Sequence, residues 1–441
     1  MPDLSTNFAG IRCPNPFWLA SGPPANCADQ VMRAFDAGWG GAVWKTLGEP
    51  IVNTTSRYSS VDWNGQRMMG LNNIELITDR PLAVNLREIA EVKKRYSGHA
   101  VIASLMVESQ RPAWQTIVKQ AEDAGADGLE LNFGCPHGMS ERGMGAAVGQ
   151  VPEYACMITE WVKEVARVPV LVKLTPNVTD IRMPARAAKL ARADGLSAIN
   201  TINSVTGIDL DTLTPRPNVD GQSSHGGYCG PAVKPIALHM IQQIASDPQI
   251  QLPISGIGGV ASWREAAEFI LMGCGTVQVC TAVMHYGFRI VEDMIDGLKN
   301  WMQDKGFSCI EDFRGCSVPR VTEWKNLNLN HKIVARVHPE KCIGCDLCYT
   351  ACWDAAHQCI HRDGIARELP ITSTPVSKLA QRALDPGRTP PERIPWVNEA
   401  ECVGCNLCWL VCPIEGCITM ERVETGLPRQ SWEQRSAVRM R

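Results

Sequence analysis

The chain has 441 residues, 45% of them hydrophobic and 20% charged, with a formal net charge of −3. This composition indicates a soluble globular protein of more than one domain, and the lack of a basic run argues against a nucleic-acid partner. The N-terminus, MPDLSTNFAG, lacks a basic and an apolar region, so we expect no signal peptide. No apolar run reaches the roughly 18 residues of a membrane span. Nineteen cysteines then indicate a reducing, cytoplasmic location and use of cysteine in metal binding or catalysis.

Short apolar runs alternate with helical patterns up to residue 304. The predicted strands are 16–21, 40–45, 100–106, 128–132, 169–174, 196–201, 253–257 and 275–280. The predicted helices are about 28–37, 83–96, 111–125, 153–166, 180–193, 232–246, 263–272 and 286–304. Eight strand–helix units favour an α/β fold of the (β/α)8 TIM-barrel type over 1–304, with a doubly wound open sheet as the alternative.

Polar residues stand at or just beyond the ends of several predicted strands. They are Ser21, Lys45, Asn132, Lys173, Asn203 and Thr281. In a barrel these ends meet at the face where active sites are built. The longest connections, 46–82, 133–152 and 202–231, lie at the same face and are predicted to build or cover a site.

Glycines follow the seventh predicted strand at Gly258-Gly259, and Cys280-Thr281 follow the eighth. The loops after strands 7 and 8 of this fold often hold a phosphate, because glycines let backbone N–H groups approach the anion. Lys45 and Lys173 at the barrel mouth would meet an anion, which favours flavin mononucleotide (FMN) as the cofactor. The alternative is that both lysines are solvated or ion-paired.

Eight cysteines near the C-terminus form two runs of one spacing. They are Cys342-x2-Cys345-x2-Cys348-x3-Cys352 and Cys402-x2-Cys405-x2-Cys408-x3-Cys412. This spacing is typical of [4Fe–4S] clusters, so two runs predict two clusters. The fourth cysteine of each run usually ligates the other cluster, which gives the sets Cys342, Cys345, Cys348, Cys412 and Cys402, Cys405, Cys408, Cys352. Structural zinc is the alternative.

The organisation of the C-terminal part follows from these runs. Residues 305–334 are predicted to connect the barrel to a cluster domain at 335–441. Between the runs, about 366–394 is rich in Pro, Arg and Thr and is predicted to be an exposed loop.

One loop carries a family resemblance. NFGCPHGMSERGMGAAVGQ, at 132–150, resembles the active-site loop of the dihydropyrimidine dehydrogenases. Further similar segments are NPFWLASGPP (15–24), AGWGGAVWKTL (37–47), LNNIEL (71–76), VKLTPNVTDI (172–181), INSVTG (202–207) and VQVCTA (277–282). The cysteine runs resemble the ferredoxin part of that family, so the resemblance covers nearly the whole chain. It implies a bacterial catalytic subunit with FMN and two [4Fe–4S] clusters, and the dihydroorotate dehydrogenases are similar more distantly.

The resemblance implies roles for individual residues. Cys135 matches the acid/base that exchanges a proton with C5 of uracil or thymine while the reduced flavin exchanges a hydride with C6. The residues that match pyrimidine contacts are Asn73, Asn132, Asn203 and Ser204. The residues in FMN-contacting segments are Ala20, Ser21, Lys45, Asn132, Lys173, Gly258, Gly259, Cys280 and Thr281. Structural alternatives are a buried core cysteine for Cys135 and a structural hydrogen bond for His137.

The chain also departs from the family. Gly134 stands where mammalian members have Ser, so one polar substrate contact is expected to be missing. The spacer from Cys352 to Cys402 is longer than the family usually shows.

Electrons must enter from outside this chain. No Gly-x-Gly-x-x-Gly follows a predicted strand, so we expect no dinucleotide site. The family resemblance implies a partner subunit with FAD and the NAD(H) site, in a heteromer expected to be a heterotetramer. Two other functions stay open. An additional Arg or Lys facing the substrate would favour a dihydroorotate-type dehydrogenase. A non-catalytic electron-transfer subunit would leave Cys135 and the three asparagines without a task.

Overall fold

A computed structural model describes residues 2–49, 51–63, 66–362 and 394–439. Most of the loop predicted at 366–394 lies outside these residues. The chain divides into two compact units, Met1–Val321 and Thr322–Arg441, here called the barrel unit and the cysteine unit. Among the described residues, no helix is both long and apolar enough to cross a membrane.

The barrel unit alternates strands and helices. Its strands in the described residues are β1 (Thr6–Phe8), β2 (Ile11–Cys13), β3 (Phe17–Leu19), β4 (Gly41–Leu47), β5 (Tyr58–Trp63), β6 (Gln66–Asn73), β7 (Ala100–Leu105), β8 (Gly128–Asn132), β9 (Val170–Lys173), β10 (Gly195–Ala198), β11 (Ile202–Ser204), β12 (Ile208–Asp209), β13 (Thr214–Pro215), β14 (Gly226–Cys229), β15 (Ile254–Ile257) and β16 (Cys274–Val279). Its helices there are α1 (Ala28–Ala37), α2 (Leu82–Arg95), α3 (Arg111–Asp123), α4 (Ala146–Gly149), α5 (Pro152–Lys163), α6 (Arg182–Leu190), α7 (Lys234–Ala245), α8 (Trp263–Leu271), α9 (Thr281–Tyr286) and α10 (Ile290–Lys305).

Eight parallel strands close into a barrel in the order β3-β4-β7-β8-β9-β10-β15-β16. The closure is made by β16 and β3, where Val277 pairs with Phe17 and Val279 with Leu19. The predicted (β/α)8 barrel is therefore confirmed, and the doubly wound open sheet is wrong. Every barrel strand is buried along its whole length, as expected for parallel strands covered by helices.

The longest connections contain a second sheet. Its four strands are antiparallel in the order β11-β14-β6-β5. They come from the segments 46–82 and 202–231 that follow barrel strands β4 and β10. These segments were predicted to build or cover a site, but their strands were not predicted.

The barrel unit extends beyond the predicted boundary at residue 304. Ile310 and Phe313 are buried in the same apolar core as the barrel helices. Part of the segment predicted as a connector therefore packs as barrel structure.

The cysteine unit is smaller. Its described elements are β17 (Lys332–Val337), α11 (Leu347–Ala355), β18 (Ile360–His361), β19 (Trp396–Val397), α12 (Leu407–Val411), β20 (Ile418–Val423) and α13 (Trp432–Arg439). Strand β17 pairs with β20 and β18 pairs with β19, both antiparallel. Its core contains apolar residues together with cysteines of both runs.

Candidate active site

A large cavity opens at the carboxyl-terminal face of the barrel. It encloses about 1360 Å³ of empty space, part of it open to solvent. Its lining includes most of the predicted site residues, namely Ala20, Ser21, Lys45, Asn73, Asn132, Cys135, Lys173, Gly258, Gly259, Cys280 and Thr281. They come together because strand ends and following loops of a barrel converge on one face.

Cys135 lies in the loop after β8 and faces this cavity. Cys135 is only 9% exposed, and its thiol donates a hydrogen bond to the backbone oxygen of His137 at 3.6 Å. Burial raises the pKa of the Cys135 thiol to about 11, with the His137 contact and Lys173 acting weakly in the opposite direction. The thiol is therefore protonated at neutral pH and can act as a proton donor.

The loop fixes the backbone of Cys135. Its carbonyl oxygen accepts from the Ser140 hydroxyl at 2.7 Å and from the Ala146 N–H at 3.0 Å. Gly145 has a φ of +56°, and a Cβ there would lie 2.7 Å from the Cys135 oxygen. The glycine permits this close approach, so loop and thiol are held together.

Asn132 is the centre of a hydrogen-bond network at the end of β8. Its Nδ2 donates to Thr46 Oγ1 at 2.9 Å, and its Oδ1 accepts from Asn200 Nδ2 at 2.9 Å. Thr46 Oγ1 also lies 3.1 Å from the Ser21 hydroxyl. This network leaves Asn132 one amide hydrogen for a ligand.

Asn200 also explains the departure at Gly134. A Cβ at Gly134 would lie 2.4 Å from Asn200 Cβ and 2.5 Å from Asn200 Nδ2. The space that a serine would need is thus occupied by another polar side chain, which itself lines the cavity.

Lys45 is ion-paired. Its Nζ contacts the carboxylate of Glu75, whose side chain is 7% exposed. The same carboxylate accepts from Arg57 at 3.2 Å and from the hydroxyl of Tyr58. Burial and the Glu75 hydrogen bond raise the pKa of Tyr58 well above its ordinary value, so Tyr58 remains a neutral donor.

Lys173 has a buried partner within the barrel. Its Nζ lies 3.4 Å from Glu130 Oε1, and Glu130 is completely buried. Gln278 donates from Nε2 to Glu130 Oε2 at 3.1 Å, while Gln278 Oε1 is buried without a hydrogen-bond partner in the described structure. Gln278 also lines the cavity, so its Oε1 remains available to accept a hydrogen bond from a ligand.

His137 is buried beside the thiol. Its Nε2 lies 3.0 Å from the backbone oxygen of Glu75, and burial lowers the pKa of its imidazole. A neutral ring that bridges two cavity loops agrees with the structural alternative for this residue.

The glycine turn after β15 has the backbone conformation that a close approach requires. Gly258 and Gly259 have φ values of +129° and +77°. A Cβ at Gly259 would lie 2.9 Å from the Lys234 nitrogen and 3.0 Å from the Gly230 oxygen. The turn therefore lies backbone to backbone against Gly230 and the start of α7, and Cys280 and Thr281 line the same cavity. Backbone N–H groups of a glycine turn can meet the phosphate of a flavin without a free cation, which Lys45 and Lys173, both ion-paired, do not supply.

The predicted pyrimidine-binding residues differ in position. Asn73 lines the cavity from β6 and donates to the Gly227 oxygen at 3.3 Å. Asn203 is exposed on β11, and Ser204 donates to Asn72 at 2.9 Å. Neither Asn203 nor Ser204 lines the cavity. Both residues lie on β11 at the edge of the antiparallel sheet, where pairing with the neighbouring strand fixes the direction of their side chains.

Two small cavities of the cysteine unit are each lined by cysteines from both runs. One contains Cys342, Cys345, Cys348 and Cys412. The other contains Cys402, Cys405, Cys408 and Cys352. These are the two sets that the sequence predicted as cluster ligands.

The two runs have the same backbone turn. Gly344 and Gly404 have φ values of +68° and +67°, and Asp346 and Asn406 have +58° and +67°. Glycine, Asp and Asn tolerate this conformation better than other residues. Each turn leads into a short helix, α11 or α12, whose first turn carries the third cysteine of the run.

Each of the two cavities lies among the cysteine side chains of its set. Among the described residues, no three Cys, His, Asp or Glu side chains lie close enough together to hold a single metal ion. Tetrahedral zinc needs four ligands at about 2.0–2.3 Å from one ion. The cavities fit the larger [4Fe–4S] cluster, whose irons are each held by a different cysteine.

Comparisons with known proteins decide the family. A family model for dihydroorotate dehydrogenase matches residues 3–302. The chain belongs to this family. It is an oxidoreductase of the flavin-dependent dehydrogenase type, with a TIM barrel as its catalytic fold.

Relatives extend the similarity beyond the barrel. The chain is 42% identical over 358 residues to the NAD-dependent dihydropyrimidine dehydrogenase subunit PreA of Escherichia coli, covering 81% of this chain and 87% of that protein. It is 45% identical to the chloroplastic dihydropyrimidine dehydrogenase (NADP(+)) of Arabidopsis thaliana, over 74% of this chain and 79% of that protein. It is 33% identical to the catalytic subunit of dihydroorotate dehydrogenase B (NAD(+)) of Pyrococcus abyssi, over 71% and 99%.

Sequence reasoning missed several residues that line the cavity. These are Thr46, Tyr58, Glu75, Asn200, Tyr228 and Cys229. Thr46 adjoins Lys45 at a predicted strand end, so its position gave a signal. Glu75 follows an antiparallel strand that was not predicted, and its signal was its place in the similar segment LNNIEL (71–76).

Proposed function

We propose that this chain is the catalytic subunit of a dihydropyrimidine dehydrogenase, which reversibly reduces uracil and thymine to 5,6-dihydropyrimidines. The observation that carries the proposal is the buried thiol of Cys135 in one cavity with the carboxamides of Asn73 and Asn132. A carboxamide offers two donors and an acceptor, which suits a neutral ring with alternating N–H and C=O groups. The names of the E. coli and A. thaliana relatives support this reading.

The charges of the cavity argue against a carboxylated substrate. Among the described residues, its lining contains two lysines and no arginine. Lys45 is paired with Glu75 and Lys173 with Glu130. A dihydroorotate carboxylate would need a further cation, whereas an uncharged pyrimidine would not.

The chain's own residues then handle the proton. The thiol of Cys135 donates a proton to C5 during reduction and recovers it during oxidation. Its loop holds it through the hydrogen bonds of Ser140 and Ala146 to the Cys135 oxygen. FMN bound in the cavity would supply the hydride that is exchanged with C6.

Cofactor-binding roles follow the lining. The turn at Gly258-Gly259, with Cys280 and Thr281, would hold the phosphate end of FMN. Ala20, Ser21, Lys45, Asn132 and Lys173 would contact the remainder of the cofactor. Lys45 would do so while paired with Glu75, which places a fixed dipole beside the flavin instead of a free charge.

The cysteine unit would carry two [4Fe–4S] clusters in a ferredoxin-like domain at 335–441. Before it, the barrel domain predicted at 1–304 would continue into the predicted connector at 305–334, as far as Val321. The two cysteine-lined cavities support this assignment. Clusters pass single electrons, so a partner subunit with FAD would split the electron pair of NAD(H). We expect a heteromer of the heterotetramer type, in line with the name "subunit" of the E. coli relative.

One experiment separates the candidate functions. The purified chain is mixed without oxygen with dihydrouracil or dihydroorotate, and flavin absorbance is followed. Rapid bleaching by dihydrouracil supports the proposal, and rapid bleaching by dihydroorotate alone would indicate the dihydroorotate-type enzyme. If neither compound bleached the flavin, a non-catalytic electron-transfer role would remain.

A second experiment tests the partner. Stopped-flow mixing of the isolated chain with NADH or NADPH should bleach its flavin only slowly. Adding an FAD-containing partner should make this reduction rapid. Fast bleaching without a partner would reveal a nicotinamide site on this chain and contradict the proposed path.

A further inference from the structure

The two cavities that contain the cysteine runs are each lined by five cysteines, one more than a cluster binds. The fifth is Cys417 in the cavity of Cys342, Cys345, Cys348 and Cys412. It is Cys359 in the cavity of Cys402, Cys405, Cys408 and Cys352. Neither belongs to a four-cysteine run, and both are buried, with 3% and 4% exposed.

Cys359 contacts two of the predicted ligands of its site. Its Sγ lies 3.6 Å from Cys352 Sγ, and it is also hydrogen-bonded to the Cys402 side chain. Cys352 is the fourth cysteine of the first run, and Cys402 is the first cysteine of the second.

Cys417 makes the corresponding pair of contacts. It is hydrogen-bonded to the side chains of Cys342 and Cys412. Cys342 is the first cysteine of its run and Cys412 the fourth of the other, so both extra thiols touch equivalent ligands. Each also stands directly before a strand, β18 or β20. The duplicated position indicates a built feature and not a chance core cysteine.

The chemistry of sulfur assigns a direction to these contacts. A cysteine bound to iron is a thiolate, which has no hydrogen and can only accept. A fifth thiol that does not bind iron retains its S–H and can donate. Hydrogen bonds to ligand sulfurs are one of the means by which a protein sets cluster potentials, and a buried site strengthens them.

We propose that Cys359 and Cys417 are positioning residues, each of which donates its single S–H hydrogen to the sulfur of the first or fourth ligand of its cluster, or shares it between the two, and so raises the reduction potential of that cluster. This rests on the proposed function, because it requires both clusters to be present. Neither residue is assigned as a ligand.

The test uses the full-length chain purified without oxygen. Each thiol is changed in turn, as Cys359→Ala, Cys359→Ser, Cys417→Ala and Cys417→Ser. Iron per chain is measured, and each cluster is titrated by EPR-monitored reduction. Cys156→Ala, on α5 of the barrel unit, is the control and should change neither quantity.

We expect every variant to retain about eight irons, four for each cluster. Each alanine variant should lower the potential of one cluster only, by about tenfold in the reduction equilibrium, or 59 mV for one electron. The serine variants should remain nearer to the unchanged chain, because the hydroxyl also donates.

Three results would contradict the proposed donor role, and each has a different meaning. Eight irons with unmoved potentials in both alanine variants would exclude the donor role and leave the proposed function intact. Loss of about four irons from either variant would make that cysteine a ligand. An unchanged chain with zinc, or without iron, would refute the two-cluster assignment itself and this inference with it.

Discussion

The barrel cavity and the cysteine unit build their sites in opposite ways. The cavity is lined by single residues from most strand ends, and these residues extend along the sequence from Ala20 to Tyr286. The cysteine unit uses one short pattern twice, with the same turn and the same following helix. A cavity assembled from many elements should lose function without losing its cofactor when one residue changes. A cluster site, in which every ligand holds one iron, should lose the cofactor itself.

The largest expected effect tests the first half of this comparison. Cys135→Ala should lower pyrimidine reduction by about 10²–10⁴-fold, the usual contribution of a general acid. The amounts of flavin and iron per chain should stay unchanged, because Cys135 supplies a proton and other residues hold the cofactors. Steady-state rates with uracil and an artificial reductant measure it.

The controls for this change are two further cysteine variants. Cys135→Ser should also be slow, since a hydroxyl is a much weaker acid than a thiol. Cys316→Ala, at an exposed cysteine, should be unchanged. A near-normal rate in Cys135→Ala would remove the assigned role.

How far the sequence predicted each region follows from the same contrast. All eight barrel strands were predicted, because buried parallel strands are short apolar runs between turns. The two cysteine sets were predicted from spacing alone, since a cluster dictates its own local pattern. Glu75 was not predicted, because it reaches the cavity from the connection after β4, whose path depends on the tertiary fold. The exposed position of Asn203 has the same cause: its place in β11 is set by pairing with β14. Asn200 was not predicted although it lies in the predicted strand 196–201, just beyond the end of β10, where its position gave a signal.

The second prediction concerns the space between two loops. Gly134→Ser should lower the rate by about 10–100-fold, because displacement of Asn200 disturbs the Asn132 network, and small displacements of positioned groups are costly. The double variant with Asn200→Gly should recover part of the loss, since it removes the Asn200 Cβ that a Cβ at position 134 would meet at 2.4 Å. A double-mutant cycle on the steady-state rates measures the recovery. Strictly additive losses would show that the two positions do not interact.

The third prediction tests the second half of the comparison. Cys345→Ser should reduce the iron content from about eight to about four per chain, because each cluster depends on its own set of four cysteines. The flavin content should stay the same, since the flavin would lie in the barrel unit. Iron and flavin analysis of one sample measures both, with Cys316→Ser as the control. Complete loss of iron would mean that the two sites form as one cooperative unit.

The smallest expected effect concerns the pH profile of the barrel site, where we expect the rate not to change with pH. Burial raises the pKa of Cys135 from 9.0 to about 11. The acid form is the one that donates, so it is present below the raised pKa and is lost as the pH rises through it. At pH 10 roughly nine-tenths of the thiol is still protonated, whereas an unburied thiol would be mostly thiolate. The Cys135-dependent rate of uracil reduction should therefore be flat from pH 7 to 10. The difference between the unchanged chain and Cys135→Ala, measured at each pH, isolates this dependence. A decline centred near pH 9 would show that the thiol is solvated when it reacts. The pKa of the reacting thiol would then be that of an ordinary cysteine, unaffected by the burial that many separate elements provide.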